Sequence, residues 1–351
     1  MSFQDGMMAL RLQMPERVPR TEYSAEGHWP LIAAVTGIAV DENSDERIRK
    51  QASLAFQKAW NYDFLWSIAI GSETLQARHT NMGHAVYAAG GVDWDEKLAE
   101  GFTDPEEVFA LDLEAIYPRP GHDELVARFE RHWNEQRAEH DAVPTTGVYI
   151  TLMSGLIDML GWNMLLTCAG EEPRRFGELA QRYARWVRPF FEALADSDVP
   201  TVMVHDDIVW TSGPFMNPAW YRQYLFPATA DLLSPLREAG KIIAYTSDGD
   251  YTMFIDDIAA CGVSGFVLEP LTDMKAISER YGRTHFFIGN ADTRVLLRGD
   301  RDAIRAEVER CMAIGKSCPG FIMAVGNHIP SNTPVDAALY YNECYEKLSR
   351  R

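Results

Sequence analysis

The feature that most limits the fold is a pattern repeated along the second half of the chain: a short apolar run, a polar turn, then an amphipathic stretch. The runs Thr201–Val204, Lys241–Ala244, Gly265–Leu268, His285–Ile288 and Phe321–Val325 end in turn residues and are rich in β-branched or aromatic side chains. Such runs read as fully buried parallel strands. The stretches between them keep the helical period. Pro218–Ala239 sets Tyr221, Leu225, Ala228, Leu232 and Leu236 along one face, and Asp302–Lys316 does so with Ile304, Val308, Cys311 and Met312. Asn217 before Pro218 offers an N-cap followed by a first-turn proline. Strands alternating with helices require a parallel sheet with right-handed crossovers.

In the first half, Arg17–Ser24, Phe64–Ile70 and Gly147–Leu152 read as further strands, and Ser44–Trp60 and Arg174–Leu194 as helices. Eight strands predict an α/β protein, a single (β/α)8 TIM-type barrel with an N-terminal extension, filling residues 1–351 as one domain. A chain of 351 residues suits one such barrel. No glycine-rich dinucleotide fingerprint follows any strand, which argues against an open doubly wound sheet.

Lys and Arg number 33 against 51 Asp and Glu, a formal net charge of −18. That balance repels phosphate backbones and excludes nucleic acid as a partner. No apolar run approaches the roughly 18 residues of a membrane span, and the N-terminus lacks a signal-peptide pattern. A cytoplasmic protein without membrane contact is therefore expected. The scattered Cys168, Cys261, Cys311, Cys318 and Cys344, with no CxxC, read as reduced thiols.

In a barrel of this kind the active site lies at the C-terminal ends of the strands. The residues that follow the late apolar runs are His205-Asp206-Asp207, the segment YTSDGD with Asp248, Glu269-Pro270, Asn290 with Asp292, and Asn327-His328. Singly, each is ordinary turn chemistry. Five consecutive strand ends of this character converge on a polar pocket for a small-molecule substrate. Glu22, Tyr23, His28 and Trp29 follow the first run and either line the same pocket or serve in helix capping and packing. Trp66, Trp162 and Trp210 read either as an aromatic wall for a flat ligand or as core packing. Arg294 suits either a carboxylate or phosphate contact or a helix cap.

The segments HDDIVWTSGPFMNPAWYRQYLFP, IGNADTRVLLRG and VGNHIPSNTPVD, with RVPRTEYS at the first strand, resemble the uroporphyrinogen decarboxylase superfamily. The resemblance implies a single (β/α)8 barrel, and either porphyrinogen decarboxylation or cobalamin-linked methyl transfer. The decarboxylases carry an arginine-rich segment after strand one that holds the substrate carboxylates. Here that place reads EYSAEGHW, where Glu22 and Glu26 have the wrong sign for such a substrate. Ser67 stands where the decarboxylases have an aspartate in strand two.

The methyltransferase branch binds zinc through His-x-Cys after strand five and a Cys after strand eight, and related barrels add a Glu after strand six. The resemblance puts Thr246 at the histidine, Asp248 at the cysteine, Glu269 at the glutamate, and His328 or Asn327 near the last cysteine. It thus implies a Zn²⁺ or other divalent metal on Asp248, Glu269 and His328, harder than a thiolate site and suited to an oxygen substrate. A metal-free alternative uses His328 or Glu269 as proton donor or acceptor, with Asp206 and Asp207 as a pair of split acidity. Glu22, Tyr23, His28, His205, Asn290, Asp292 and Asn327 are the expected substrate-binding residues.

The leading expectation is a methyltransferase moving a methyl group between a small methoxylated substrate and a corrinoid. The chain has no D-x-H-x-x-G signature, so the corrinoid is expected on a separate partner protein. The alternatives are a decarboxylase or lyase acting on a small acid or tetrapyrrole, and a non-catalytic corrinoid- or tetrapyrrole-binding barrel. Pairing of family members over the barrel mouth makes a homodimer a further expectation.

Overall fold

The computed structural model describes residues 1–75, 85–88, 91–94 and 101–351. The strands of its barrel are β1 (Phe64–Leu65), β2 (Ile68–Ile70), β3 (Val143–Pro144), β4 (Thr146–Val148), β5 (Thr201–His205), β6 (Ile242–Thr246), β7 (Gly265–Val267), β8 (Phe286–Asp292) and β9 (Phe321–Gly326); two short antiparallel hairpins, Ala85–Ala88 with Gly91–Trp94 and Val209–Trp210 with Gly213–Pro214, lie outside it. The main sheet is parallel and runs β9-β8-β7-β6-β5-β4-β2, while β1 pairs in parallel with β3. Residues 17–22 close the ring. The Met323 amide donates to Pro19 O and the Thr21 amide to Met323 O, while the Asp63 amide on the other side donates to Arg20 O. This first stave makes bridges rather than a continuous ladder because Pro19 has no N–H to give, and it ends where Ser24 turns to φ 56°. The result is the eight-staved barrel that the apolar pattern implies.

Several element ends differ from the sequence reading. The strand expected at Gly147–Leu152 stops at Val148, and Leu152 instead opens the helix Leu152–Leu160. The apolar run continued because both elements are buried. β6 continues through Thr246 and β8 through Asp292, so Asn290 and Asp292 lie inside a strand. The helix expected over Pro218–Ala239 is broken by a π-helical turn at Tyr221–Leu225 beside Pro227, which lacks the N–H a regular turn would need. Asn217 does cap its start, accepting from the Ala219 amide at 2.9 Å.

The N-terminal extension has a structural task. Helix α1 (Phe3–Leu10) buries Met7, Ala9 and Leu10 in one cluster with Phe64, Val143, Phe286, Ile288 and Ile322 from the barrel interior. It therefore plugs the end of the barrel opposite the strand C-termini. Gly6 permits this approach, since a Cβ there would lie 2.2 Å from Asp63 O. Around the ring, helices α2 (Glu46–Ala59), α3 (Leu152–Leu160) and α4 (Pro173–Asp196) bury their apolar faces. α4 alone covers Phe176, Tyr183, Trp186, Phe190 and Leu194, each side chain contributing about 1.5–3 kcal/mol. All five cysteines are buried and unpaired. Among the described residues no single helix is long and apolar enough to cross a membrane.

Candidate active site

The C-terminal ends of the strands surround a cavity of about 230 Å³. Tyr149 and His205, just past and at the ends of β4 and β5, line one side, with Thr246 and Asp248 beyond them. Val267 and Glu269 come from β7 and its end, and Asn327 and His328 follow β9. Glu22, Tyr23 and Glu26 enter from the first stave and its following turn, and Gln57, Tyr62, Leu65 and Trp66 from α2 and β1. Among the described residues, no lysine or arginine lines it.

Three side chains form a donor set. His205, Asp207 and Asp248 present ligand atoms that all lie within 4.8 Å of one another. Their placement is built by the turns that follow β5 and β6. The Asp207 Oδ1 atom accepts the Asp248 amide at 2.9 Å and stands 3.5 Å from His205 Nε2. On the far side of the imidazole, Nδ1 meets Ser154 Oγ at 3.0 Å, and that same hydroxyl oxygen accepts the Asp207 amide at 2.9 Å. Tyr149 stacks on the His205 ring with centroids 4.0 Å apart. A histidine fixed through Nδ1 with Nε2 aimed at two carboxylates has the form of a metal ligand with its supporting shell. Oxygen and imidazole donors suit zinc or a harder divalent ion, so the residues fit a metal.

The electrostatics agree with that fit. Burial pushes Asp207 up to about 6. Burial, with the Asp248 carboxylate next, holds Glu269 well above the usual carboxylate range, partly offset by a hydrogen bond from Asn327. Asn327 also donates to Asp248 Oδ1 at 3.3 Å. It takes φ 66° to do so, while its own Oδ1 is buried with no partner among the described residues. Carboxylates gathered with no basic side chain are stabilised by a cation or by protons. The loop bearing Asp248 is held by close backbone packing. Gly249 has φ +82°, and a Cβ there would lie 2.3 Å from Trp210 O.

Of the residues expected to hold the metal, Asp248 is in the donor set, whereas Glu269 and His328 stand elsewhere on the cavity wall. His328 Nδ1 instead meets Ser24 Oγ at 2.7 Å at the rim. His205, expected to bind substrate, and Asp207, expected in acid–base work, complete the set. Asp206 is turned away from the cavity: its Oδ1 accepts the Met153 and Ser154 amides at 2.5 and 3.1 Å, capping α3. Burial raises it to about 7.

Other expected substrate contacts are occupied by structural bonds. His28 caps a short helix through Nδ1 and reaches Thr333 O through Nε2. Asn290 binds Glu269 O, Thr272 O and Arg310. Asp292 caps its helix and pairs with Arg294 at 2.8 Å, so the Arg294 charge is met within the same turn. Glu22 lines the cavity but is bound by Arg20, Tyr341 and the Val325 amide. Trp66 lies on the cavity wall, edge-on to Tyr23, whereas Trp162 and Trp210 pack against Phe215 apart from it. Tyr149, Ser154, Gln57 and Tyr62 were not singled out from sequence. Tyr149 would have been, had β4 been ended at Val148; the other three follow no strand end.

A family model described as uroporphyrinogen decarboxylase (URO-D) matches residues 135–348. The chain belongs to the URO-D family. Similar curated proteins include the uroporphyrinogen decarboxylase of Syntrophotalea carbinolica, 26% identical over 180 residues, covering 51% of each chain. That of Thermus thermophilus is 28% identical over 183 residues, covering 51% of this chain and 50% of that protein. The chain therefore spans about half the length of the curated relatives it matches. Among solved structures, a methyltransferase from Methanosarcina mazei matches at TM-score 0.67 and 15% identity. It covers 99% of this chain and 98% of that one, and this likeness supports the barrel fold of the URO-D member described here.

Proposed function

We propose that this URO-D barrel is a metal-dependent methyltransferase, moving a methyl group from a small methoxylated substrate to a corrinoid carried by a separate protein. The observation that carries the reading is the His205–Asp207–Asp248 donor set at the mouth of a cavity that has no arginine among its described walls. A divalent ion held there would supply Lewis acidity toward an ether oxygen.

The chain's own groups then have definable tasks. Ser154 holds the His205 ring so that Nε2 is the donor, and the Asp248 amide orients Asp207. Glu269, protonated through burial and its neighbour Asp248, is placed as the acid. A corrinoid on the separate protein would accept the methyl group, and Glu269 would give its proton to the oxygen left when the O–CH₃ bond breaks. Tyr23 presents a buried hydroxyl without a protein partner, available to position the substrate. The Methanosarcina mazei protein, a methyltransferase by name, agrees with this reaction type.

Decarboxylation of a small acid or tetrapyrrole is the second reading, favoured by the names of the curated relatives. Against it, no guanidinium faces the cavity from the described residues to hold substrate carboxylates. The test combines elemental analysis of the purified protein, beside Asp248→Ala and His205→Ala, with a spectroscopic assay of methylcorrinoid formation from Co(I) and methoxylated substrates. One metal per chain in wild type, lost in both variants along with methyl transfer, is the expected result. No metal uptake from zinc or other divalent ions would end the Lewis-acid mechanism, and CO₂ release without methyl transfer would establish the second reading. Corrinoid binding with no turnover would mark a binding protein.

A further inference from the structure

Part of the cavity wall is not used by the proposed chemistry. It lies between the turn after the first stave and α2, and is formed by Glu26, Gln57 and Tyr62. The Tyr62 side chain is 1% exposed, yet its hydroxyl has no hydrogen-bond partner among the described residues. Gln57 Oε1 is likewise buried and has no partner among them. The half-buried Glu26 carboxylate makes no ion pair among the described residues, and burial raises its pKa. The wall is firmly built: Ser53 Oγ donates to Glu26 O at 2.8 Å, tying the turn to α2, and the Tyr62 amide donates to Gln57 O at 3.1 Å. Unmatched buried polar atoms are rare in folded proteins and call for a partner.

We propose that this crevice is a subsite for an ammonium group on the substrate, with Glu26, Gln57 and Tyr62 as its acceptors. The inference rests on the reading of the cavity as a substrate site. Its chemistry follows from the groups present. Three oxygen atoms able to accept, one of them on a carboxylate, match the three donors and single charge of –NH₃⁺. They repel a carboxylate or phosphate. A water could meet the hydrogen bonds but not the charge, and a buried carboxylate is stabilised chiefly by a cation. Trp66 and Tyr23, edge to face on the neighbouring wall, add aromatic surface favourable to a cation. The substrate would carry its ammonium at this subsite and its methoxy oxygen toward His205, Asp207 and Asp248.

The test is calorimetric titration of the full chain with a graded series of ω-methoxyalkylamines, compared with methoxyalkanols and methoxyalkanoates of equal length. Each is titrated into zinc-loaded and metal-stripped protein. At least one amine should bind about tenfold or more tightly than its alcohol, as expected for a hydrogen bond to a charged group, and the carboxylates should bind more weakly than either. Glu26→Gln should abolish that preference and Tyr62→Phe should reduce it, with unfolding temperatures showing that both variants fold. Equal binding of amine and alcohol, no binding of any amine, or a preference unchanged in Glu26→Gln would overturn the proposal. A preference that survives metal removal and Asp248→Ala supports the subsite even if methyl transfer fails. Methyl transfer without the preference sinks the subsite and leaves the function.

Discussion

Replacing Asp158 by Asn should change how stability depends on pH, in a direction that can be worked out. Asp158 lies on α3, 2% exposed, with the Ser72 hydroxyl donating to its Oδ2. Burial raises its pKa from 3.8 to about 7, with Asp207 and Glu73 adding to the rise and Ser72 opposing it. The folded state therefore holds this proton more tightly than the unfolded chain. Between about 3.8 and 7 the folded protein carries the extra proton, so stability falls as pH rises and levels off above about 7. At 1.36 kcal/mol per tenfold, that displacement is worth about 4 kcal/mol in total. Asn keeps an oxygen for Ser72 and has no proton to lose. Urea unfolding of metal-stripped wild type and Asp158→Asn at steps from pH 4.5 to pH 8 measures the difference. The variant should gain on wild type by several kcal/mol across that range, with most of the gain complete near pH 7. A difference that stays flat with pH, or grows in the opposite direction, would refute the claim that Asp158 is held neutral by its surroundings.

Three further outcomes test the site. Gly249→Ala should lose about 2 kcal/mol or more in urea unfolding, because the new Cβ meets Trp210 O at positive φ; an unchanged midpoint would mean that the Asp248 loop is not clamped. Ser154→Ala should weaken zinc binding by about tenfold to a hundredfold in competition with a chromophoric chelator, since it frees both the His205 ring and the Asp207 amide. Unaltered affinity would remove Ser154 from the supporting shell. Tyr23→Phe, tested without ligand, should leave the unfolding temperature unchanged or raise it, because the hydroxyl it removes is buried and unpartnered. A fall equivalent to more than about 1.5 kcal/mol would reveal a protein partner for that hydroxyl.

The barrel was legible because parallel strands buried on both faces leave continuous apolar runs, as in Phe321–Val325, that local sequence alone displays. The family was legible from the strand-end segments, several of which lie in the matched span. The inner workings of the site were less so. Asp248, Asp207 and His205 all appear among the sequence candidates, yet their grouping depends on the turns after β5 and β6 crossing toward one another. The Asp207 Oδ1 bond to the Asp248 amide spans 41 residues and leaves no local trace. His328 and Asn327 differ by one position, and the positive φ of Asn327 turns its amide onto Asp248 and Glu269 while His328 goes to Ser24. Asp206, beside two donor residues in sequence, belongs to a helix cap because successive residues leaving a strand point to opposite faces. Gln57 and Tyr62 reach the cavity from outside the strand-end pattern, so no strand-end rule could name them.

The first stave also bears on the sign of the substrate's charge. Arg20 is the arginine closest in sequence to EYSAEGHW, where the resemblance places the decarboxylases' arginine-rich segment. Here it is 0% exposed and faces the helix layer, bound to Glu22 and Asn342, with Trp60 and Tyr345 on its faces. Freeing it would strand Glu22 as an uncompensated buried charge, at a cost of about 3–5 kcal/mol. Arg20 is thus unable to turn toward a substrate carboxylate without dismantling the contact between the first stave and the last helix. With that cation committed to structure, the described walls present Glu26, Asp248 and Glu269 with no lysine or arginine among them. On the proposed reading, such a cavity gains from a divalent ion on the donor set and a cationic group on the substrate, and penalises a polyanion. This charge layout supports the proposed function over the second reading, decarboxylation of a polyanionic substrate.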